Sequence, residues 1–369
     1  MWRWTFKSLV ASPLTLAMSI AAAACAMLLA ILFEAIYAGE AKQVVAYLEN
    51  ADADVWVMQG GVSNMHMATS YLSDWKAHEV RDVDGVASVE SILYLNTVID
   101  AGSKKWFSFI VGLDSSSKGA GPWSMAEGKP MPGPGDAIVP RVFADMTGLQ
   151  LGDIVAITDR KFRISGFSAD TFSMGNTVIF VTKPDLEDVM SSLDIVSFML
   201  VKANPGVSPD MLARRIESNV TKVSALPSHA FVANDRSMVM QMGVETIALM
   251  TTIGGSLAIL LVAFTVYSQI ARQQRELAVA KALGATNRML LMSVTAQATA
   301  ISVISVLVAL LLALVLVPLT DALVPQVTLR ITGSAIERIA VLGVAVALVA
   351  SLVPARRIAR ADPVTAFHS

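Results

Sequence analysis

Four charge-free apolar stretches, one near the start of the chain and three in its last third, bracket a long polar segment. They are Ser8–Phe33, Thr246–Ala271, Met289–Thr320 and Ile339–Ala355. An α-helix rises about 1.5 Å per residue, so about 20 apolar residues cross a hydrocarbon core about 30 Å thick. Each stretch is long enough to span. A composition of 54% hydrophobic and 16% charged residues, with mean hydropathy +0.59, is too apolar for one soluble domain of 369 residues. The sequence therefore predicts a membrane protein: four transmembrane α-helices with an α+β extracytoplasmic domain inserted between helices 1 and 2.

Orientation follows from the basic residues. Arg3 and Lys7 precede the first stretch; the loop 272–288 carries Arg272, Arg275, Lys281 and Arg288 against Glu276; the tail carries Arg356, Arg357 and Arg360 against Asp362. Cytoplasmic loops are enriched in Lys and Arg, so both termini and this loop are expected inside. The segment 38–245 has 17 basic and 25 acidic residues, a net of −8, and is expected outside. The expected organisation is an interfacial amphipathic segment 1–12, helix 1 over 13–37, the outer domain over 38–235, and a stalk plus helix 2 over 236–271. The coupling loop 272–288, helix 3 over 289–320, a short outer loop 321–338, helix 4 over 339–355 and a cytoplasmic tail 356–369 follow.

Ala21–Cys25 imitates a lipoprotein cleavage site. Ala22 stands where leucine is preferred, however, and Ala26–Phe33 stays apolar beyond the cysteine, so a retained helix is expected rather than a signal peptide. The single Cys25 excludes an intrachain disulfide framework. The net charge of −2, without a basic face, argues against nucleic acid as a partner.

Within the polar segment, two α+β lobes are expected. Strands are predicted at 53–58, 86–100, 104–111, 154–157, 161–166, 177–182 and 196–202, and helices at 64–80, 184–190 and 208–220, with a Ser/Gly/Pro-rich loop over 114–135. No proline interrupts the chain between Asp235 and Pro318. Asp235 is expected to cap one long helix reaching Ala271, unless Gly243 or the Gly254–Gly255 pair breaks it.

Chemistry is conspicuous by what is missing. The sequence has no G-x-x-x-x-G-K-[ST] phosphate loop, so it is not expected to hydrolyse nucleotide itself. The four charge-free stretches carry no proton relay or ion site of the kind secondary transporters use. His66, His78, His229 and His368 form no hydrolytic or metal-ligand spacing. Met65, His66 and Met67 could ligate a soft metal, but adjacent residues on a helix point apart, and no metal site is expected.

The loop Arg272-Gln-Gln-Arg-Glu-Leu-Ala-Val-Ala-Lys-Ala-Leu-Gly-Ala-Thr-Asn-Arg288 does carry a message. Its middle is made of helix formers, Arg272 and Glu276 are i,i+4 neighbours, and Gly284 can supply a left-handed C-cap after Leu283. Leu277, Val279 and Leu283 need an apolar place to go, and a docking groove on a partner would supply one. In the fourth span, Gly343, Ala347 and Ser351 form a small-xxx-small row suited to helix packing or a dimer contact.

Arg275-Glu-Leu-Ala-Val-Ala-Lys-Ala-Leu-Gly-Ala-Thr286 resembles the coupling sequence of the FtsX/MacB family of ABC transporter permeases, the type VII or mechanotransmission group. The tail Pro354-Ala-Arg-Arg-Ile-Ala-Arg-Ala-Asp-Pro-Val-Thr-Ala-Phe367 is similar to the family's ending. Glu127-Gly-Lys129, Gly135-Asp136 and Leu149-Gln-Leu-Gly-Asp153 look like its outer domain. The resemblance implies a non-catalytic permease subunit in the cytoplasmic (inner) membrane, gripped by two copies of a separately encoded ATPase that holds the ATP and Mg. It implies no cofactor bound to this chain directly, and a second permease chain as homodimer partner, with a membrane-fusion protein and outer-membrane channel as further candidate partners. Arg272, Arg275, Glu276, Leu277, Val279, Lys281, Leu283 and Gly284 would form the ATPase-coupling helix. Two functions stay open: export or extraction of an amphiphile (lipid, lipoprotein, glycolipid, peptide or haem-like), and FtsX-like signalling to a periplasmic hydrolase without transport.

Overall fold

The computed structural model describes residues 13–101, 104–173, 176–272, 281, 284–324 and 327–360. They fall into two compact units, an α+β unit formed by Glu40–Gly243 and a helical unit that takes in most of the remainder. Among the described residues, α1 (Pro13–Gln43) and α7 (Ser228–Arg272) are continuous across the boundary between them.

The α+β unit is built on one eleven-stranded mixed sheet. Its strands are β1 (Val55–Gln59), β3 (Val86–Ala101), β4 (Lys104–Leu113), β5 (Met125–Gly128), β6 (Asp136–Pro140), β7 (Ile154–Ile157), β8 (Arg160–Ser168), β9 (Phe172–Ser173), β10 (Asn176–Thr182), β12 (Phe198–Ala203) and β13 (Val223–Pro227). A separate two-stranded pair joins β2 (Leu72–Ser73) to β11 (Ile195–Val196). The order is β13-β1-β12-β3-β4-β10-β6-β8-β5, with β7 bonded to β3 and β8, and β9 to β10. Most pairs are antiparallel; β10–β4 and β6–β8 run parallel. The short helices are α2 (Ala46–Asn50), α3 (Lys76–Arg81), α4 (Arg141–Thr147), α5 (Lys183–Met190) and α6 (Pro209–Asn219).

Strand β1 shows why the sequence reads as an unbroken apolar run. Successive side chains point to opposite faces, and both faces are covered. Trp56 and Met58 enter a core with Phe198, Tyr94, Phe109 and Phe231, while Val55 and Val57 enter another with Val80, Leu212 and Ile216. A third cluster gathers Phe143, Phe162, Val139 and Ile179 around α4 and β8. The helix α5 opens as its sequence suggests, with Thr182 Oγ1 accepting the Asp185 amide at 3.3 Å and Pro184 in the first turn.

Several outer-domain motifs turn out to be turn chemistry. Gly128 has φ +85°, and a Cβ there would sit 2.5 Å from the Ser165 carbonyl oxygen, so only glycine lets β5 close on β8. Asp136 is buried, and its carboxylate receives the Arg163 guanidinium at 2.8 and 3.0 Å. Gly152 donates its amide to the Ile164 carbonyl at 2.8 Å, and Asp153 Oδ2 accepts the Gln150 amide at 2.8 Å.

The helix expected over 64–80 does not form; only Lys76–Arg81 is helical. Side chains bind the amides at the start of this stretch. Asp235 Oδ1 takes the amides of Met65 and His66 at 2.8 and 3.0 Å, and Asn64 Oδ1 takes that of Met67 at 2.8 Å. The loop expected over 114–135 contains β5, and β6 and α4 lie where no element is expected. The expected strand 196–202 is split, β11 leaving the main sheet to pair with β2.

The helical unit contains parts of α1 and α7 together with α8 (Asn287–Leu323) and α9 (Gly333–Arg360). Its core joins Ala23, Met27 and Ile31 of α1, Ala258 and Val262 of α7, and Ala298, Ile301 and Ala309 of α8. Large apolar side chains cover the outside as well: Leu260, Phe264, Leu314, Val315 and Val341 are all exposed. Helices that are apolar all round suit lipid rather than water. Two helices among the described residues are long and apolar enough to cross a membrane, Leu16–Gln43 and Asn287–Thr320, with a shorter apolar run at Thr252–Phe264.

Candidate functional site

Of the residues expected to form the coupling helix, Arg272, Lys281 and Gly284 are the ones within the described residues. Arg275, Glu276, Leu277, Val279 and Leu283 lie outside the described residues. Arg272 is the last residue of α7, and Lys281 is helical. Gly284 has φ +95°, the left-handed conformation expected of it, and donates its amide to the Lys281 carbonyl at 3.1 Å. Thr286 Oγ1 then accepts the Met289 amide at 3.3 Å, and its carbonyl accepts the Leu290 amide at 3.2 Å, which starts α8. The loop is thus punctuated by its own sequence on the side that leads into α8.

The small row of the last helix is used within the chain at two of its three positions. A Cβ on Gly343 would lie 2.8 Å from Val306 Cγ2, and the Gly343 carbonyl accepts from Ser302 Oγ at 2.7 Å, so α9 rides directly on α8. Ala347 is buried. Ser351 is helical. The Gly254–Gly255 pair does not break α7 either; both glycines are contact points. A Cβ on Gly254 would meet Ala26 and Ala30 of α1 at 3.6 Å, and one on Gly255 would meet Leu342 Cδ1 at 2.8 Å.

Where α7 begins, its first turns are anchored in the α+β unit. The helix starts at Ser228, seven residues before the expected cap. Asp235 is a fully buried anchor: besides the two amides, its Oδ2 pairs with His66 Nδ1. Phe231 packs on Trp56 of β1, ring centroids 5.3 Å apart. Arg236 donates to the Ala41 carbonyl at 3.2 Å and to Glu49 at 2.5 Å, tying α7 to the end of α1 and to α2. His66, considered for a metal, is committed to Asp235 and lies edge-on to Phe109.

In the helical unit, α1 carries charge that the charge-free stretches do not. It continues through Glu34, which is buried and lies 3.0 Å from the guanidinium of Arg338 at the start of α9. The Arg330 amide donates to the Ala35 carbonyl at 2.9 Å beside it. Neither Asp235 nor Glu34 could be assigned from sequence, because their partners lie about 170 and 300 residues away along the chain.

Comparison with known proteins agrees with this two-part build. The MacB-like periplasmic core domain matches residues 14–219, and the FtsX-like permease C-terminal domain matches residues 248–363. An uncharacterized ABC transporter permease of Mycobacterium tuberculosis is 22% identical over 331 residues, 89% of this chain and 87% of that protein. One from Mycobacterium bovis is 21% identical over 332 residues, with the same coverage. Among solved structures, the periplasmic region of MacB from Actinobacillus actinomycetemcomitans is similar over 55% of this chain and 97% of that one, at 10% identity and TM-score 0.38. The extracellular domain of the noncanonic ABC-type transporter YknZ from Gram-positive bacteria is similar over 47% of this chain, at 12% identity and TM-score 0.35. With one matched domain covering more than half of it and the second most of the rest, the chain belongs to the MacB/FtsX family of ABC transporter permeases, membrane proteins with an inserted extracytoplasmic domain.

Proposed function

We propose that this permease couples ATP hydrolysis in two copies of a separate ATPase subunit to motion of its extracytoplasmic domain, and that the motion exports or extracts an amphiphilic substrate. In this reading all four apolar stretches cross the cytoplasmic membrane, both termini are cytoplasmic, and a second copy of the chain completes the pore-free permease. The loop 272–288 docks on the ATPase through Arg272, Arg275, Glu276, Leu277, Val279, Lys281, Leu283 and Gly284.

One observation carries the reading. The helix α7 runs for 45 residues, about 68 Å at 1.5 Å per residue, from Ser228 in the α+β unit, past the buried Asp235 anchor, to Arg272 at the edge of the loop. An uninterrupted helix transmits displacement along its axis, and the hydrogen-bonded root at Asp235 and Arg236 gives it a grip at the outer end. An α+β unit of full domain size, Glu40–Gly243, has room for a substrate cavity, which favours export over signalling alone.

Co-expression with candidate ATPase subunits tests the assembly. A nucleotide-binding subunit that co-purifies, and whose hydrolysis rises in the presence of this chain, supports the reading; an ATPase-free chain under those conditions contradicts it. Lipidomics and peptide mass spectrometry of the purified complex address the substrate class. If ATP turnover instead changes only the activity of a periplasmic hydrolase, the signal-transmitting reading replaces export.

A further inference from the structure

A groove of about 790 Å³ follows one face of α8 in the helical unit, from Arg288 to Ile304, about four turns on. The residues that line it recur at the three- and four-residue spacing of a single helical face. Small residues, Ala296 and Ala300, lie in its middle, between the bulkier Met292 and Ile304. Thr295 beside them donates its hydroxyl to the Leu291 carbonyl at 3.0 Å, so its polar atom is satisfied within the helix. The opposite face of α8 is already used. Ala298 and Ile301 pack in the core with α1 and α7, and Ser302 donates to the Gly343 carbonyl of α9 at 2.7 Å. The groove therefore faces away from these neighbours, with Met292 64% exposed.

Among the described residues that line it, Arg288 carries the single charge. It stands in the first turn of a 37-residue helix, where the helix dipole already presents partial positive charge and disfavours a cation. No acidic residue occupies that turn, and among the described residues no carboxylate pairs with Arg288. An anion at this end would offset both. The groove then continues from the charge as an apolar channel, which fits a lipid rather than a free anion. Ala296 and Ala300 lie about 12 and 18 Å beyond Arg288 along the axis, the depth to which an acyl chain of one leaflet, about 15 Å, extends. A neighbouring apolar helix could use the small residues but would leave the guanidinium unmatched.

We propose that this face of α8 binds an anionic phospholipid of the cytoplasmic leaflet, its phosphate held by the Arg288 guanidinium and one acyl chain laid over Ala296 and Ala300. It rests on the reading above that α8 crosses the membrane with the loop 272–288 on the cytoplasmic side, where anionic lipids attract basic residues. It does not depend on what the permease exports.

The test is native mass spectrometry of the delipidated full chain, without ATPase, titrated with phosphatidylglycerol and with phosphatidylcholine of the same acyl chains. Phosphatidylglycerol is expected to bind about fivefold more tightly, the margin that one arginine supplies toward an anionic lipid. Arg288→Gln should bring the two lipids within about twofold of each other, whereas Arg214→Gln, at an exposed arginine of the α+β unit, should leave the preference as it is. Ala300→Leu fills the groove with another good helix former and should weaken both lipids by about threefold. In intact membranes, Met292→p-benzoylphenylalanine should cross-link to phospholipid. Equal binding of the two lipids, a preference that survives Arg288→Gln, affinities unmoved by Ala300→Leu, or a cross-link to a second polypeptide overturns the proposal. Because no hydrolysis or transport is measured, that failure leaves the coupling reading intact. A reporter fused after Asn287 that reads extracytoplasmic would overturn the topology itself, and the proposal with it.

Discussion

Glu34 of α1 and Arg338 of α9 meet at 3.0 Å, the carboxylate buried and the guanidinium half exposed. Removing the arginine strands a buried charge, whereas removing both charges does not. Arg338→Leu is therefore expected to cost about 1–3 kcal/mol, and the double change Glu34→Leu with Arg338→Leu to recover most of that loss. Thermal melts of the detergent-solubilised chain decide it. A double variant no more stable than Arg338→Leu would refute the pairing.

Asp235 binds the amides of Met65 and His66 and the His66 ring from inside the core. Asp235→Ala leaves those donors buried without an acceptor, an expected loss of about 2–4 kcal/mol. Hydrogen exchange should show the Met65 and His66 amides deprotected well beyond the rest of the sheet. Unchanged protection there would mean that the anchor contributes nothing.

Asp114 and Glu187 hold their protons at higher pH than ordinary carboxylates, chiefly because burial disfavours their charge. From the ordinary carboxylate range upward the folded form binds more protons than the unfolded one, so these groups subtract stability as pH rises through that window. The variant Asp114→Asn should accordingly gain on the wild type between about pH 4 and pH 7, read as a widening difference in urea midpoints by tryptophan fluorescence. Lys202 works at the other end. Its hydrogen bond to Asp52, the largest cause, raises its pKa despite partial burial, so its contribution is complete below its ordinary value and fades above it.

Gly343 has no room for a side chain against Val306. Gly343→Ala should cost about 1–3 kcal/mol through overpacking, and Val306→Ala in the same chain should restore part of it. A tolerated alanine, with an unchanged melting temperature, would show that α9 does not sit this close to α8.

Much of this architecture is legible in the sequence because its signals are local. The Ile154–Ile157 and Arg160–Ser168 hairpin, the Pro184 and Pro209 helix starts and the left-handed Gly284 each follow from residues within a few positions. In place of the helix expected over 64–80, a loop pinned at its start by Asp235 leads to the short α3, and no local pattern could supply that residue. Strand β6 is hidden by its proline and by the glycines before it, and is held by β8 and β10, which lie far along the chain. The Glu34–Arg338 pair is likewise a product of tertiary placement. The coupling sequence stands apart: its meaning rests on family resemblance, since its work would be done on another protein.

The most direct measurement of the central claim is the ATPase rate of the partner subunit assembled with this chain, wild type against Glu276→Arg. The variant is expected to insert, fold and express as the wild type does but to lose the stimulation of hydrolysis. Stimulation by Glu276→Arg equal to the wild type would contradict the coupling role of the 272–288 loop.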